Sequence, residues 1–286
     1  MTQTEKMLRF TKMHGCGNDY IYFNCFEEQI DNPEELSILL SDRHFSIGGD
    51  GVILVCPSEV ADAKMRMFNA DGSEGKMCGN GIRCVAKLCS DEGIVGGDTV
   101  RIETLSGIKT IELVKENGVA VAAKVDMGAA IFEPKLIPVN LDGESVIDRP
   151  LDIDGREYRI NCVSMGNPHC VIFTQGIDDM ELEKIGRRFE CHGIFPERVN
   201  TEFVEVISDK ELKMRVWERG SGETWACGTG TCATVAAAVK NGICKAGEDI
   251  LVHLRGGDLV INYTDERVLM TGEAVEAFRG TVKVKM

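Results

Sequence analysis

Two cysteines, Cys78 and Cys227, each stand at the head of a small-residue turn, Cys78–Gly79–Asn80–Gly81 and Cys227–Gly228–Thr229–Gly230. Closely similar segments precede them. Met65–Arg66–Met67–Phe68–Asn69 and Asp71–Gly72–Ser73–Glu74 lead to the first, and Met214–Arg215–Val216–Trp217–Glu218 and Ser221–Gly222–Glu223 lead to the second. The step from Met to Cys is 13 residues in both, and the cysteines lie 149 residues apart. A lone cysteine defaults to a small packed hydrophobe. Two thiols delivered to matched turns of a duplicated chain suggest a site that needs two similar groups on opposite sides of one substrate.

Each turn runs into a helical pattern, which puts a thiol at a helix N-terminus. The unpaired N–H groups and the positive helix end stabilise an anion there. A free thiol has a pKa of about 8.5, so only ~3% is thiolate at neutral pH. A helix end contributes about 0.3–1 kcal/mol, roughly 0.2–0.7 pK units, so a working base also needs neighbours and exclusion of water. The same N–H groups can hold a carboxylate, and Asn80–Gly81 and Thr229–Gly230 let the backbone come close to it. A carboxylate held between two helix ends, with a thiol on either side, suits inversion at the α-carbon of an amino acid. One thiolate removes the proton from one face and the opposite thiol returns one to the other. The two groups then titrate as a coupled pair sharing one proton. Nothing resembles a pyridoxal phosphate site, so no cofactor is expected and the helix ends must stabilise the carbanion.

The elements that position these groups repeat as well. The offset of 149 maps Gly17–Asn18 onto Gly166–Asn167, Gly93–Ile94 onto Gly242–Ile243, and Glu74 onto Glu223. The chain is a tandem duplication. Alternation and β-branched content predict strands at Leu8–Met13, Tyr20–Cys25, Val52–Val55, Met65–Phe68, Val100–Thr104, Ile108–Val114 and Val119–Asp126. In the second half they predict Arg159–Ser164, Cys170–Phe173, Thr201–Ile207, Leu212–Trp217, Ile250–Leu254, Leu259–Tyr263 and Val268–Thr271. Helices are expected at Pro33–Arg43, Ile82–Cys89, Met180–Phe189 and Thr231–Lys240. The last is uncharged until Lys240, and a helix apolar all round is buried. The expected fold is α+β, with two domains, each a mixed, largely antiparallel sheet rolled around a central helix that starts at its cysteine. Domains are expected at 1–126 and 127–274, with a terminal strand at 275–286 free to return to the first.

Composition narrows the classes. A length of 286 residues suits two ordinary domains. A net charge of −14 argues against nucleic acid or an anionic membrane as partner. No apolar run approaches the ~18 residues of a membrane span, and Met1–Phe10 lacks a signal-peptide core, so a cytoplasmic location is expected. None of the 12 cysteines has Cys-x-x-Cys spacing. Zinc ribbons, iron–sulfur clusters and thioredoxin motifs are therefore disfavoured, no metal is expected, and Cys25, Cys56, Cys162 and Cys244 read as core residues.

The chain resembles the diaminopimelate epimerases. The resemblance is carried by Met13–Asp19, Phe68–Glu74, Cys78–Cys84, Met165–Cys170, Asn200–Thr201, Glu218–Gly220 and Ala226–Gly230. It implies interconversion of LL- and meso-2,6-diaminopimelate without a cofactor, in lysine and peptidoglycan precursor synthesis, by a homodimer. It implies Cys78 and Cys227 as the acid/base thiols, and Gly79, Asn80, Gly228 and Thr229 as the amides under the reacting carboxylate. Asn18, Asn69, Asn167, Asn200, Glu218 and Arg219 would bind the rest of the substrate, and His169 and Glu218 would adjust the thiols. Arg219 suits a distal carboxylate, which it can grip in bidentate fashion. Many family members have Gln where this chain has Gly51, and an apolar residue where it has Cys16.

Other readings are weaker. Gly228-x-Gly230-x-x-Ala233 follows a polar stretch rather than a buried strand, which argues against a dinucleotide turn. A cysteine-nucleophile hydrolase leaves the second thiol unexplained. Cys84, Cys89 and Cys232 read as packing residues, Glu74 and Glu223 as turn-pairing carboxylates, and His14 as a hydrogen-bonded structural residue.

Overall fold

The computed structural model describes residues 5–285. In chain order the strands and α-helices are β1 (Glu5–Gly15), β2 (Asn18–Asn24), α1 (Pro33–Ser41), β3 (Gly51–Cys56), β4 (Ala63–Asn69), β5 (Glu74–Gly75), α2 (Gly79–Asp91), β6 (Thr99–Thr104), β7 (Gly107–Glu116), β8 (Val119–Asp126), β9 (Arg149–Ile153), β10 (Arg156–Ser164), β11 (Pro168–Phe173), α3 (Leu182–Glu190), β12 (Asn200–Ser208), β13 (Glu211–Glu218), β14 (Gly222–Thr224), α4 (Gly228–Lys240), β15 (Asp249–Leu254), β16 (Gly257–Tyr263), β17 (Val268–Glu273) and β18 (Val275–Lys285). They form two compact units. One comprises the chain up to Val125 with the segment from Gly272 onward, and the other comprises Asp126–Thr271.

The duplication is visible in the pairing. In the first unit β1 and β2 pair antiparallel, β2 and β3 parallel, β3 and β4 antiparallel, β4 and β6 parallel, and β6 and β7 antiparallel. In the second, β10, β11, β12, β13, β15 and β16 repeat that order and those senses. Each parallel pair is bridged by a helix: α1 joins β2 to β3, α2 lies between β4 and β6, α3 joins β11 to β12, and α4 lies between β13 and β15. Such a crossover is what a parallel neighbour requires. In the first unit β18 pairs antiparallel with β1 from Glu5↔Lys285 to His14↔Val275.

Each sheet is covered on both faces, so its middle strands read as apolar runs without alternation. One face of the first unit packs against α1 through Leu8, Ile21, Phe23, Leu36, Leu40, Val52, Leu54 and Phe68. The matching face of the second packs around α3 through Ile160, Cys162, Ile172, Leu182, Phe189 and Phe203. On the other side lie α2 and α4, against β1 and β2 and against β10, β11, β12 and β16. In α4, Thr231 through Val235 and Ala236 through Ala238 are fully or almost fully buried, as an uncharged helix must be. Buried α2 instead carries a cation. Arg83 is wholly enclosed and donates to the carbonyls of Gly79 and Glu273, and Nη2 reaches Cys16 Sγ at 3.7 Å.

Two differences from the sequence expectations have local causes. Both central helices begin three residues earlier than their apolar pattern, at Gly79 and Gly228, because the cysteines themselves take the extended N-cap conformation. Strand β9 was not expected. It is built by an Asp154–Gly155 turn with positive φ at both residues, the geometry of a type I′ hairpin.

Phe189 lies edge-on to Tyr158 and Phe203, at 5.1 and 5.7 Å between centroids. Phe189→Ala is expected to cost about 3–5 kcal/mol, read as a lower urea midpoint for the second unit.

Candidate active site

The first unit builds its cysteine turn from β2, β3 and the head of α2. Cys78 is the N-cap of α2, and its Sγ accepts a hydrogen bond from Gly81 N at 3.3 Å. Gly79 and Asn80 form the first helical turn beneath it. The Cys78 thiol donates to Asn18 Oδ1 at 3.1 Å, and Asn80 Nδ2 reaches the same oxygen at 3.4 Å. Asn18 is delivered by a tight hairpin in which Cys16 and Gly17 both have positive φ. Cys16 is therefore a buried turn residue held against Arg83. The Asn18 amide is fixed by a residue the sequence reading passed over, Asp50, which accepts from Asn18 Nδ2 at 2.7 Å and from Asp19 N at 3.1 Å. Arg43 Nη2 in turn holds Asp50 at 2.9 Å.

Tyr20 is a second omission. It is buried on β2 and hydrogen-bonds to Asn18 and Cys78. Its hydroxyl is pushed well above the ordinary phenol range by burial first, then by the Cys78 and Asp50 charges. Asn69, by contrast, is occupied in its own turn, with Nδ2 donating to Ser73 Oγ at 3.0 Å. Glu74 is bidentate with Arg66. His14 departs from expectation, since its buried Nδ1 has no hydrogen-bond partner among the described residues.

The second unit builds the matching corner with different side chains. Cys227 caps α4, with Gly228 and Thr229 in the first turn, and its Sγ lies 3.5 Å from Thr229 Oγ1. Asn167 Nδ2 donates to Thr229 Oγ1 at 3.3 Å, and Asn167 Oδ1 faces His169 Nε2 at 3.0 Å. His169 is clamped from its other side by Glu202 Oε1 at 2.7 Å, and both side chains are fully buried. Glu218, at the end of β13, accepts from Thr224 Oγ1 at 2.5 Å and hydrogen-bonds to Cys227. Burial raises Glu218 above the usual carboxylate range, against the pull of Thr224 and Cys227. Burial likewise pushes Cys227 well above an ordinary thiol, and the neighbouring Glu218 and Glu202 carboxylates push it further.

Asn200 and Arg219 form a separate cluster of that unit. Asn200 Oδ1 accepts from Arg219 N at 2.9 Å, and Arg219 Nη1 donates to Glu197 O at 3.0 Å. Glu190 steadies this turn, accepting from Gly220 N at 2.9 Å and from Trp217 Nε1 at 2.8 Å. Glu223 is bidentate with Arg215, the counterpart of the Glu74–Arg66 pair.

The residues of the described chain match a known family over 10–133 and 161–276, the family described as Diaminopimelate epimerase. A diaminopimelate epimerase of Acetivibrio thermocellus is 55% identical over 277 residues, covering 96% of this chain and 98% of its own length. That of Agathobacter rectalis is 53% identical over 286 residues, with 97% and 100% covered. The chain belongs to the diaminopimelate epimerase family. Among solved structures, a hydroxyproline epimerase from Agrobacterium vitis shares the fold at a TM-score of 0.72 and 14% identity, covering 100% of this chain and 95% of that one.

Within this family the chain's Gly51 has a steric reason. A Cβ built there would lie 2.0 Å from the Phe68 carbonyl oxygen, so this backbone path admits no side chain. The repeat offset makes Tyr20 the counterpart of His169 and Ile53 the counterpart of Glu202. That offset was the available signal for Tyr20 and Glu202, whereas Asp50 maps onto Val199 and gains nothing from it. A further signal was a carboxylate early in the expected strand Thr201–Ile207, the stretch that the structure buries.

Gly81 and Gly230 explain how those strand residues reach the thiols. A Cβ at Gly81 would meet Ile53 Cδ1 at 2.7 Å, and one at Gly230 would meet Glu202 Oε1 at 2.5 Å. Ile53 can swing its terminal methyl away, whereas Glu202 can yield only by breaking its bond to His169. Gly81→Ala is therefore expected to change stability by less than about 1 kcal/mol, helped by the better helix former. Gly230→Ala is expected to cost about 1–3 kcal/mol. Urea unfolding of the two variants checks the asymmetry.

Proposed function

We propose that this chain interconverts LL- and meso-2,6-diaminopimelate, a step in lysine and peptidoglycan precursor supply, by two-thiol acid/base catalysis without a cofactor. The reading rests on one observation above all: in each unit the residue capping the central helix is a cysteine, and its thiol is set among polar groups suited to proton transfer.

In one direction the Cys78 thiolate takes the α-proton of one stereocentre, and the Cys227 thiol supplies a proton to the opposite face. The reverse reaction exchanges the roles. In the reacting pair the shared proton belongs on Cys227, because burial and the Glu218 and Glu202 charges oppose its ionisation, and Cys78 gives up the proton it directs at Asn18 Oδ1. The N–H groups of Gly79, Asn80, Gly228 and Thr229 hold the reacting carboxylate. There the positive helix ends offset the charge that builds up as the α-proton leaves. Asn18 and Asn167 orient substrate and thiols, with Asn69, Asn200, Glu218 and Arg219 left for the distal amino-acid group. His169 acts through Glu218 and Asn167 on the Cys227 side. A homodimer in the cytoplasm is the expected setting.

In D₂O, LL-diaminopimelate should gain deuterium at one α-carbon as the meso form appears. Cys78→Ala and Cys227→Ala should each lower turnover by at least about 10²-fold, the usual worth of a positioned acid or base. Undiminished turnover by the double variant would refute the two-thiol mechanism, and turnover of proline in place of diaminopimelate would refute the substrate.

A further inference from the structure

Two cysteines outside the machinery described above lie side by side. Strands β2 and β3 run parallel in register from Tyr20↔Gly51 to Asn24↔Val55, and Cys25 N then donates to Val55 O at 2.8 Å. The next step of that ladder brings Cys25 beside Cys56. Neighbouring strands lie ~4.8 Å apart, within the ~4.4–6.8 Å between Cα atoms that a disulfide spans. The two thiols hydrogen-bond to each other, and both side chains are half-buried. They line an open cavity of about 400 Å³ together with Gln29, Ile30, Leu54, Pro57 and Arg66.

The pair is chemically unequal. The hydrogen bond from Cys25, with Arg66 and Lys64 nearby, holds Cys56 below an ordinary thiol despite its burial. The same hydrogen bond and burial hold Cys25 far above one. A second cysteine pair, Cys162 and Cys170, is opposed across β10 and β11, but both members are fully buried and out of reach of any reagent.

We propose that Cys25 and Cys56 form a redox-active dithiol that exchanges with small organic disulfides and closes to an intrachain disulfide. The Cys56 thiolate attacks one sulfur of the small disulfide, giving a mixed disulfide and releasing one small thiolate. Cys25 gives its proton to that thiolate, and its sulfur then attacks Cys56 Sγ. The Cys25–Cys56 bond forms as the second small thiolate leaves and takes up a proton from water. The protein thiols lose two electrons and the small disulfide gains them. Glu27 and Glu28 also line the cavity, where both pair with Arg9, and Arg66 lines it too, so access rather than the charge of the small disulfide governs the exchange.

The test treats the full chain with cystamine under native conditions and maps the cysteines by mass spectrometry of a non-reduced digest. The expected product is a Cys25–Cys56 cross-linked peptide, lighter by two hydrogens and free of adduct. Cys25→Ser should stall with cysteamine attached to Cys56, and Cys56→Ser should leave Cys25 unmodified. Mapping separates these events from reaction at Cys78 or Cys227. A lasting adduct on Cys56 of the unsubstituted chain, or cystamine reacting elsewhere while Cys25 and Cys56 stay free, would overturn the proposal.

Discussion

A thiol that caps a helix must sit where the backbone turns from extended to helical, and the structure around each cysteine follows from that requirement. Extended φ and ψ at Cys78 and Cys227 point each Sγ back over the first helical turn. The turn can be open only if its residues are small, which accounts for glycine at positions one and three of both helices. The helix itself must be held rigidly in the middle of its unit. In α4 this is done by a run of small apolar residues. In α2 it is done by Arg83, whose enclosed guanidinium ties the helix to the Cys16 turn and to the Glu273 carbonyl. A buried cation is tolerable there because it donates to backbone carbonyls on two sides.

Duplication supplied two copies of this device, and divergence gave each copy a different electrostatic setting. Beside Cys78 the strands present neutral groups, the Asn18 amide and the Tyr20 hydroxyl, with the aliphatic Ile53 packed under Gly81. Beside Cys227 the matching positions present His169 and Glu202, and Glu218 approaches from β13. One thiol is surrounded by dipoles and the other by carboxylates. Burial makes ionisation of Cys227 costly, and the Glu218 and Glu202 carboxylates add to that cost.

Much of this was legible in the sequence. The offset of 149 residues located the repeat, the two turns and the glycines, and apolar patterning located all four helices and most strands. What escaped depended on register between distant segments. Cys25 and Cys56 were read as core residues because each sits in an apolar run. Nothing local indicates that a parallel ladder ends by placing them together at the surface. Asp50 acts through Asn18, 32 residues away in sequence, and hides in a Gly-rich loop. Glu202 lies inside an expected strand and went unremarked, yet a carboxylate in a strand buried on both faces needs a partner. Strand β9 was overlooked although Asp154–Gly155 is a strong hairpin signal. Departures between the repeats proved as informative as their matches, since Tyr20 against His169 and Ile53 against Glu202 separate the two thiols.

The central claim is that Cys227 holds its proton because burial, and then the neighbouring Glu218 and Glu202 carboxylates, oppose its ionisation. The most direct measurement is the pH dependence of alkylation at Cys227, followed by mass spectrometry in the unsubstituted chain and in Glu218→Gln. The account predicts a midpoint above the roughly 8.5 of a free thiol in the former, and a lower midpoint once the Glu218 charge is removed. A midpoint at or below that of a free thiol, or one that Glu218→Gln leaves in place, would contradict it.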